Sequence, residues 1–478
     1  MALTPQYIDR PRVLVVGGGY VGLYTALRLQ KKIANAGGIV TLVDPLPYMT
    51  YQPFLPEVAG GNIEARHAVV SHRKHLKQTE LIQGSVTAID HANRLAVIAP
   101  ADGGAPFELP YFDVVMAAGA ITRTFPIPGL AGSGIGLKTI EEAVALRNQV
   151  LSLVEKASTE TDPAKRRRAL TFVVVGGGFA GIETIAELED MVRAAVKLNG
   201  RVQQSEIRFV LVEAMGRIMP EVTEDQALWV VEHLRGRGVE VLLNTSLDNA
   251  ENNVLKLINL PDKSVAQEFA ADTLIWTAGV MANPMVRSTD FPIEPRGRIS
   301  VGTDLRVTGE FGPIENAWAA GDIAAVPDLT GGLPDGTCVP NAQHALRQAK
   351  RLAKNLLASR YGRPLVDYKH KNLGAVAGFG EWKGVAKIMG IKLKGGPAWL
   401  AHRGYHGLAM PTVERKFRVL MDWFVSMFTG RDLTQIEGLQ TPRQAFVTAA
   451  TPAPKPAAKP VEESAGKAAK DKEPVGAK

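Results

Sequence analysis

Two glycine-rich runs carry the clearest chemistry in this chain. Gly17, Gly19 and Gly22 follow the apolar run 13–16 and open an Ala/Leu-rich stretch, with Asp44 ending the next apolar run, 41–43. Gly176, Gly178 and Gly181 repeat the arrangement after 172–175, and Glu213 ends the run 209–212. At a strand–turn–helix junction the first glycine makes a tight turn, the second lets backbone N–H groups reach a pyrophosphate, and the third lets the helix close on the strand. The helix N-terminus adds partial positive charge for the phosphates. The acid at the strand end accepts from a ribose hydroxyl. A carboxylate at Glu213 favours NAD, because a 2′-phosphate would be repelled there, although Arg217 keeps NADP open. One such loop is weak evidence. Two, each with its acid, predict two dinucleotides: FAD held once per chain, and NADH visiting as a substrate.

These loops need strands and helices to hold them. At 478 residues the chain exceeds the size of one hydrophobic core, so two or three domains are expected. The runs 13–16 and 172–175, with 114–117 and 273–277, read as parallel strands buried on both faces. The expected fold class is therefore α/β, with two Rossmann-like dinucleotide-binding domains. Residues 141–156 have helical spacing, and 161–168 read as a charged linker. Its basic run, 165–168, is either an anion patch or, preferably, a solvated loop. Residues 449–478, rich in Ala, Pro, Lys and Glu, offer too little apolar surface to offset ordering entropy and are expected to be disordered.

Composition closes off several classes. Apolar residues make up 46% and charged ones 22%, a globular balance, and the net charge of +7 attracts anionic surfaces without identifying one. No basic patch of the nucleic-acid kind stands out, so nucleic acid is not expected as a partner. The single cysteine, Cys338, excludes a redox pair and a cysteine-based zinc site and fits a reducing compartment. No secretory signal is visible at the N-terminus, and no stretch reaches the length of a membrane-spanning helix. His402 and His406 are four apart on one helix face; with no third ligand in view, a packing role is the safer reading, and no metal is expected.

Further segments sharpen the picture by resemblance. Segments 114–122 (VVMAAGAIT, with Gly119), 275–284 (IWTAGVMANP, with Gly279) and 317–326 (AWAAGDIAAV, with Gly321 and Asp322) resemble elements of the two-dinucleotide-binding-domain flavoproteins. Over residues 10–435 the chain resembles the type II NADH dehydrogenases within them. The resemblance implies a pyridine-nucleotide-disulfide-reductase-like architecture, with Asp322 on the FAD ribityl and pyrophosphate region and Glu183 near the nicotinamide. A capping role for Glu183 in the first turn of its helix is the plainer alternative. The family's AQxAxQ quinone motif is matched by Ala342 and Gln343, but Arg347 stands where the second Gln is expected, with Gln348 one step later. That departure leaves the acceptor open. Segment 48–61 (YMTYQPFLPEVAGG) resembles the stretch near the quinone pocket, and Tyr51, Phe54 and Leu55 either line a slot for a lipid-like ring or form a covered loop.

Met410, Val413, Phe417, Leu420, Phe424 and Met427 fall three or four apart, extended by Trp423 and Phe428 and flanked by Arg415, Lys416, Arg418 and Arg431. Such a basic amphipathic helix suits a membrane interface, or else packs on the flavin domain or a second subunit. The resemblance implies a peripheral enzyme on the cytoplasmic side of the membrane. It would take hydride from NADH to FAD and pass two electrons to a quinone beside Gln343 and Arg347. A reductase of a soluble carrier and a non-catalytic FAD-binding sensor are the alternatives, and a homodimer is left open. The expected division is 10–140 and 286–365 for FAD, 141–285 for NADH, 366–435 as a membrane-associated region, and 449–478 as the tail.

Overall fold

The structure, a computed structural model, describes residues 11–370, 374–436, 438–439, 441–450 and 476. It forms two units, Met1–Gln435 and Ile436–Lys478. In the second, a short helix spans Gln444–Ala450, so the expected tail begins two residues too early; nearly all the rest of that tail lies outside the described residues.

In the first unit, β1 (Arg12–Val16), α1 (Tyr20–Asn35) and β2 (Ile39–Asp44) make the opening βαβ half-unit. β3 (Thr79–Asp90), β4 (Leu95–Pro100), β5 (Phe107–Pro110) and β6 (Asp113–Met116) follow, then the short β7 (Ala120–Thr122) and α2 (Ile140–Thr159). The second nucleotide region runs β8 (Thr171–Val175), α3 (Phe179–Asn199), β9 (Arg208–Val212), α4 (Glu224–Gly236), β10 (Val239–Leu242) and β11 (Thr273–Trp276). The chain returns through β12 (Val280–Ala282), β13 (Arg306–Gly309), β14 (Gly312–Ala319) and α5 (Ala342–Arg360). A C-terminal layer of β15 (Gly374–Gly378), β16 (Gly384–Ile388), β17 (Ile391–Lys394), α6 (Gly396–Ala409) and α7 (Val413–Thr429) completes the unit.

Two parallel-centred sheets result. The first has the order β13-β14-β6-β1-β2-β3-β4-β5 and the second, after an edge strand at Gly134–Ile135, β11-β8-β9-β10. That edge strand shows the chain entering the second sheet before residue 141, the expected boundary. In the second sheet alternate side chains serve opposite faces. Val173, Val175, Val210 and Val212 pack against Leu247, Leu255 and Leu257 of an antiparallel meander. Phe172, Val174, Phe209 and Leu211 instead join the large core shared with the helices. β7 and β12 pair as an antiparallel ribbon that ties one nucleotide region to the other.

The stretch 161–168 is not a linker. Asp162 caps a helix, Pro163–Ala169, by accepting from the N–H groups of Ala164 and Lys165. Two of its three arginines are engaged in ion pairs: Arg166 with Glu206 at 2.6 Å, and Arg168 with Asp272 at 2.5 Å.

α3 turns Glu183, Glu187 and Glu189 inward, an unusual load for a buried helix face. The C-terminal layer and the end of α4 answer it. Arg431 holds Glu187 at 2.6 Å and Asp190 at 3.1 Å, Lys383 reaches Asp190 at 3.2 Å, and Arg237 pairs with Glu189. Burial pushes the Asp190 carboxyl up, yet Arg237, Arg431 and Lys383 bring it below its ordinary value. Removing one partner of such a cluster strands the other charges away from water. Arg431→Met is therefore expected to cost about 3–5 kcal/mol of stability, read from the urea midpoint at unchanged m-value.

Candidate active site

Each nucleotide cradle is built from three backbone facts. Gly17 and Gly176 adopt φ of +97° and +117°, a region glycine enters without penalty. Their N–H groups donate to Val43 and Val212 carbonyls, both at 2.8 Å, which fastens each loop to the neighbouring strand. A Cβ on Gly22 or Gly181 would overlap the carbonyl oxygen of Gly17 or Gly176, whereas Gly19 and Gly178 face open space where a pyrophosphate can approach. The acids complete the match. Asp44 accepts from Gly18 N–H at 2.6 Å and Leu46 N–H at 2.7 Å. Glu213 accepts from Gly177 N–H at 2.6 Å and Met215 N–H at 2.7 Å. Arg217 turns to the carbonyls of Val222 and Pro220, so its guanidinium is engaged there.

A cavity of about 660 Å³, within the usual range for cofactor sites, runs from Gly17 and Asp44 past Gly119 to Gly321, Asp322 and Ala342. The fit to FAD is good on this chain's own geometry: a phosphate cradle, a strand-end carboxylate beside it, and a second carboxylate, Asp322, whose neighbour Gly321 lies against Val21 of the cradle helix. Burial raises the Asp322 carboxyl against the pull of Lys138. Gly279 (φ +114°) accepts from the Arg123 N–H at 3.1 Å, and Gly119 (φ +65°) accepts from the Asn283 N–H at 3.0 Å, so both glycines sit at the β7–β12 ribbon. Tyr20, Lys138 and Asn283 also line the cavity and were not foreseen, since no motif marks them. His72 was missed as well. Burial keeps its imidazole below the ordinary value, and its Nε2 lies 2.8 Å from the Gly18 carbonyl, bracing the first loop from behind.

α5 settles the helical phase of the motif residues. Asn341 caps it through the His344 N–H at 2.8 Å, and Ala342 borders the cavity. Gln348 is the residue turned inward, accepting the Gly321 N–H at 2.8 Å beside Asp322. Gln343 and Arg347 do not line the cavity: Gln343 accepts from His370 Nε2 at 2.8 Å, and Arg347 donates to the Gln343 carbonyl at 3.0 Å. Glu183 is buried against the C-terminal layer, accepting the Gly378 N–H at 3.1 Å with His402 Nε2 at 3.2 Å.

Segment 48–61 is a covered wall rather than an open slot. Tyr51, Phe54 and Leu55 are buried. Tyr51 Oη meets His406 Nδ1 at 3.0 Å, and Trp423 packs edge-on to Phe54 and donates to Glu57 at 2.7 Å. Trp423 and Met410 therefore leave the predicted stripe and face inward. Val413, Phe417, Leu420, Phe424, Met427 and Phe428 remain exposed on α7, joined by Leu400 and Leu408 of α6. No helix among the described residues is long and apolar enough to cross a membrane. Asp328, Cys338 and His344 converge, and burial together with Asp328 pushes the Cys338 thiol up to about 12.

Three outcomes follow from this geometry. Gly22→Ala is expected to abolish flavin retention, seen as loss of flavin absorbance in the purified protein. Gly181→Ala is expected to keep the flavin and lose its bleaching by NADH. At pH 8 Cys338 should resist iodoacetamide in the folded protein and label fully in denaturant, as read by mass spectrometry.

Residues 11–349 match the model of the pyridine nucleotide-disulphide oxidoreductase family. The chain is 27% identical over 439 residues, 90% of each protein, to the type II NADH:quinone oxidoreductase Ndh of Mycobacterium tuberculosis. It is 29% identical over 418 residues, 87% of this chain and 96% of the other, to demethylphylloquinone reductase NdbB of Synechocystis sp.. Among solved structures, NDH2 from Plasmodium falciparum in complex with NADH shares the fold at a TM-score of 0.81 and 19% identity, over 89% of this chain and all of that one. With two pinned-acid cradles and the family model covering both, the chain belongs to the pyridine nucleotide-disulphide oxidoreductase family.

Proposed function

We propose that this protein is a type II NADH:quinone oxidoreductase that works at a membrane surface, on the cytoplasmic side. The observation that carries the reading is the pair of matched cradles joined by the β7–β12 ribbon, because a chain that holds one dinucleotide and receives another has the parts of a hydride relay. FAD supplies the two-electron carrier between hydride donor and acceptor. The protein's own part is to hold phosphates at the helix N-termini, ribose hydroxyls at Asp44 and Glu213, and the cofactor's ribityl and pyrophosphate region at Asp322. The similarity to two quinone reductases over most of the chain supports a quinone as acceptor. Gln343 and Arg347, on the first turns of α5, remain the candidates for orienting the acceptor from outside the flavin cavity, which they do not line.

The exposed apolar stripe of α7 supports the membrane. With Met421 and Val425, α7 carries eight large apolar side chains in water, beside Arg415, Lys416 and Arg418, a pairing suited to anionic headgroups with acyl chains beneath. Each such side chain is worth roughly 1.5–3 kcal/mol when fully removed from water. The triple change Phe417→Ser, Leu420→Ser, Phe424→Ser is expected to weaken sedimentation with anionic liposomes at least about tenfold, while NADH:ferricyanide turnover stays at the parent rate.

The reading is tested by anaerobic NADH titration followed by a short-chain quinone. Bleaching of the flavin band and its recovery on quinone addition are expected. Bleaching without recovery would replace the quinone by another acceptor, and no bleaching would overturn the reductase.

A further inference from the structure

The chain between Asp322 and α5 gathers three side chains that the hydride relay does not use. The Cys338 N–H donates to the Val326 carbonyl at 2.8 Å and the Asp328 N–H to the Gly336 carbonyl at 2.9 Å, so Asp328 and Cys338 stand on the two arms of one narrow loop. His344 comes to them from the first turn of α5, between Gln343 and Arg347. One carboxylate oxygen, the thiol sulfur and one imidazole nitrogen lie within 4.8 Å of one another. Cys338 and His344 are buried. Both border a cavity of about 10 Å³ that also touches Asn341, Gln348 and Asp322. That volume holds about one water-sized occupant.

The bonds these groups make within the protein leave ligand capacity over. Tyr368 Oη meets His344 Nδ1 at 2.8 Å, and among the described residues Nε2 has no hydrogen-bond partner. The Thr330 N–H and hydroxyl both donate to Asp328 Oδ1 at 2.8 Å, and Oδ2 likewise has none. Cys338 Sγ lies 3.8 Å from the Pro327 carbonyl, a weak contact. Buried polar atoms are normally satisfied, so an open imidazole nitrogen beside a thiol and a carboxylate oxygen marks a place for a ligand they share.

We propose that Asp328, Cys338 and His344 bind one divalent cation of the zinc class, with water in the fourth position. Sulfur, imidazole nitrogen and carboxylate oxygen are the ligand types zinc takes, and a set containing sulfur disfavours magnesium and calcium. A single cysteine excludes a site made of cysteines; this mixed set needs only one. Binding forms a sulfur–metal bond and releases the thiol proton to solvent: protein–SH + Zn²⁺ → protein–S–Zn⁺ + H⁺. Without a cation, burial and Asp328 keep the thiol protonated, and a divalent charge at bonding distance reverses that balance. Tyr368 on Nδ1 fixes the His344 ring, the usual support for a metal-bound imidazole. Arg298 borders the same cavity, but its guanidinium is held by Glu294 at 3.0 Å and Asp335 at 3.1 Å. The cation ties the loop 326–338 to the start of α5, whichever acceptor the enzyme serves.

The test uses the full chain, flavin-loaded, purified without a histidine tag and stripped of metal by a chelator. Co²⁺ is the probe, because tetrahedral thiolate-bound Co²⁺ absorbs at longer wavelength than the flavin. One equivalent of Co²⁺ is expected to develop those bands, one equivalent of Zn²⁺ to abolish them, and excess Mg²⁺ to leave them unchanged. Asp328→Asn and Cys338→Ser are each expected to weaken Zn²⁺ binding at least about tenfold by calorimetry, and Tyr368→Phe, which keeps all three ligands, about tenfold. Zn²⁺ should raise the melting temperature of the parent and not that of Cys338→Ser. Asp328 is partly exposed, so its variant is expected to fold, with flavin content as the check. Absence of the Co²⁺ bands, parent affinity in Asp328→Asn, or displacement by Mg²⁺ would overturn the site. None of these readouts involves NADH or quinone, so failure of the site and failure of the reductase reading are separate results.

Discussion

The constraint on which much of this structure depends is the burial of the carboxylates that α3 turns inward. Glu183, Glu187 and Glu189 lie on the first turns of the helix that also opens the second cradle, and Asp190 joins them. Charges taken out of water are tolerated only when paired and hydrogen-bonded. Their partners come from distant chain: Arg237 at the end of α4, Lys383 between β15 and β16, His402 on α6 and Arg431 beyond α7. Satisfying one helix therefore fastens the C-terminal layer over the nucleotide regions. The same arginine reaches the Gly60 carbonyl at 2.9 Å, so segment 48–61 is clamped by the same set of charges.

The two cradles show one physical solution used twice. In each, the strand-end acid accepts a glycine-loop N–H and the N–H two residues beyond itself, at the same pair of distances. An acid so held has its carboxylate fixed before a ribose arrives, which lowers the ordering cost of binding. The loops differ in what backs them. His72 braces the first, while Ile218 and Thr277 side chains approach the second. The first cradle opens on a large cavity suited to a cofactor that stays.

α7 shows how one helix can meet two solvents. Val419 and Trp423 point inward, where Trp423 donates to Glu57 Oε2 and packs on Phe54, while Phe417, Leu420 and Phe424 stay outside. The inner face closes a dry aromatic wall around Tyr51 and His406, and the outer face leaves apolar area in water that a lipid surface would cover. Wall and exposed apolar stripe are thus two sides of the same seventeen residues.

The sequence by itself determined what depends on neighbours along the chain. Glycine positions whose Cβ would strike a carbonyl within the same loop, acids at strand ends and buried apolar strands are local demands, and both cradles were legible from them. Where a side chain points on a helix was not. Gln348 rather than Arg347 reaches Gly321, and Trp423 leaves the stripe that its spacing suggested, because each orientation is chosen by a partner far away in sequence. The fate of Tyr51, Phe54 and Leu55, open slot or covered wall, was decided only when α6 and α7 folded over them. The meeting of Glu183 with His402 has the same origin. Pairing energy between buried charges depends on distance in space, and spacing along the chain carries no record of it.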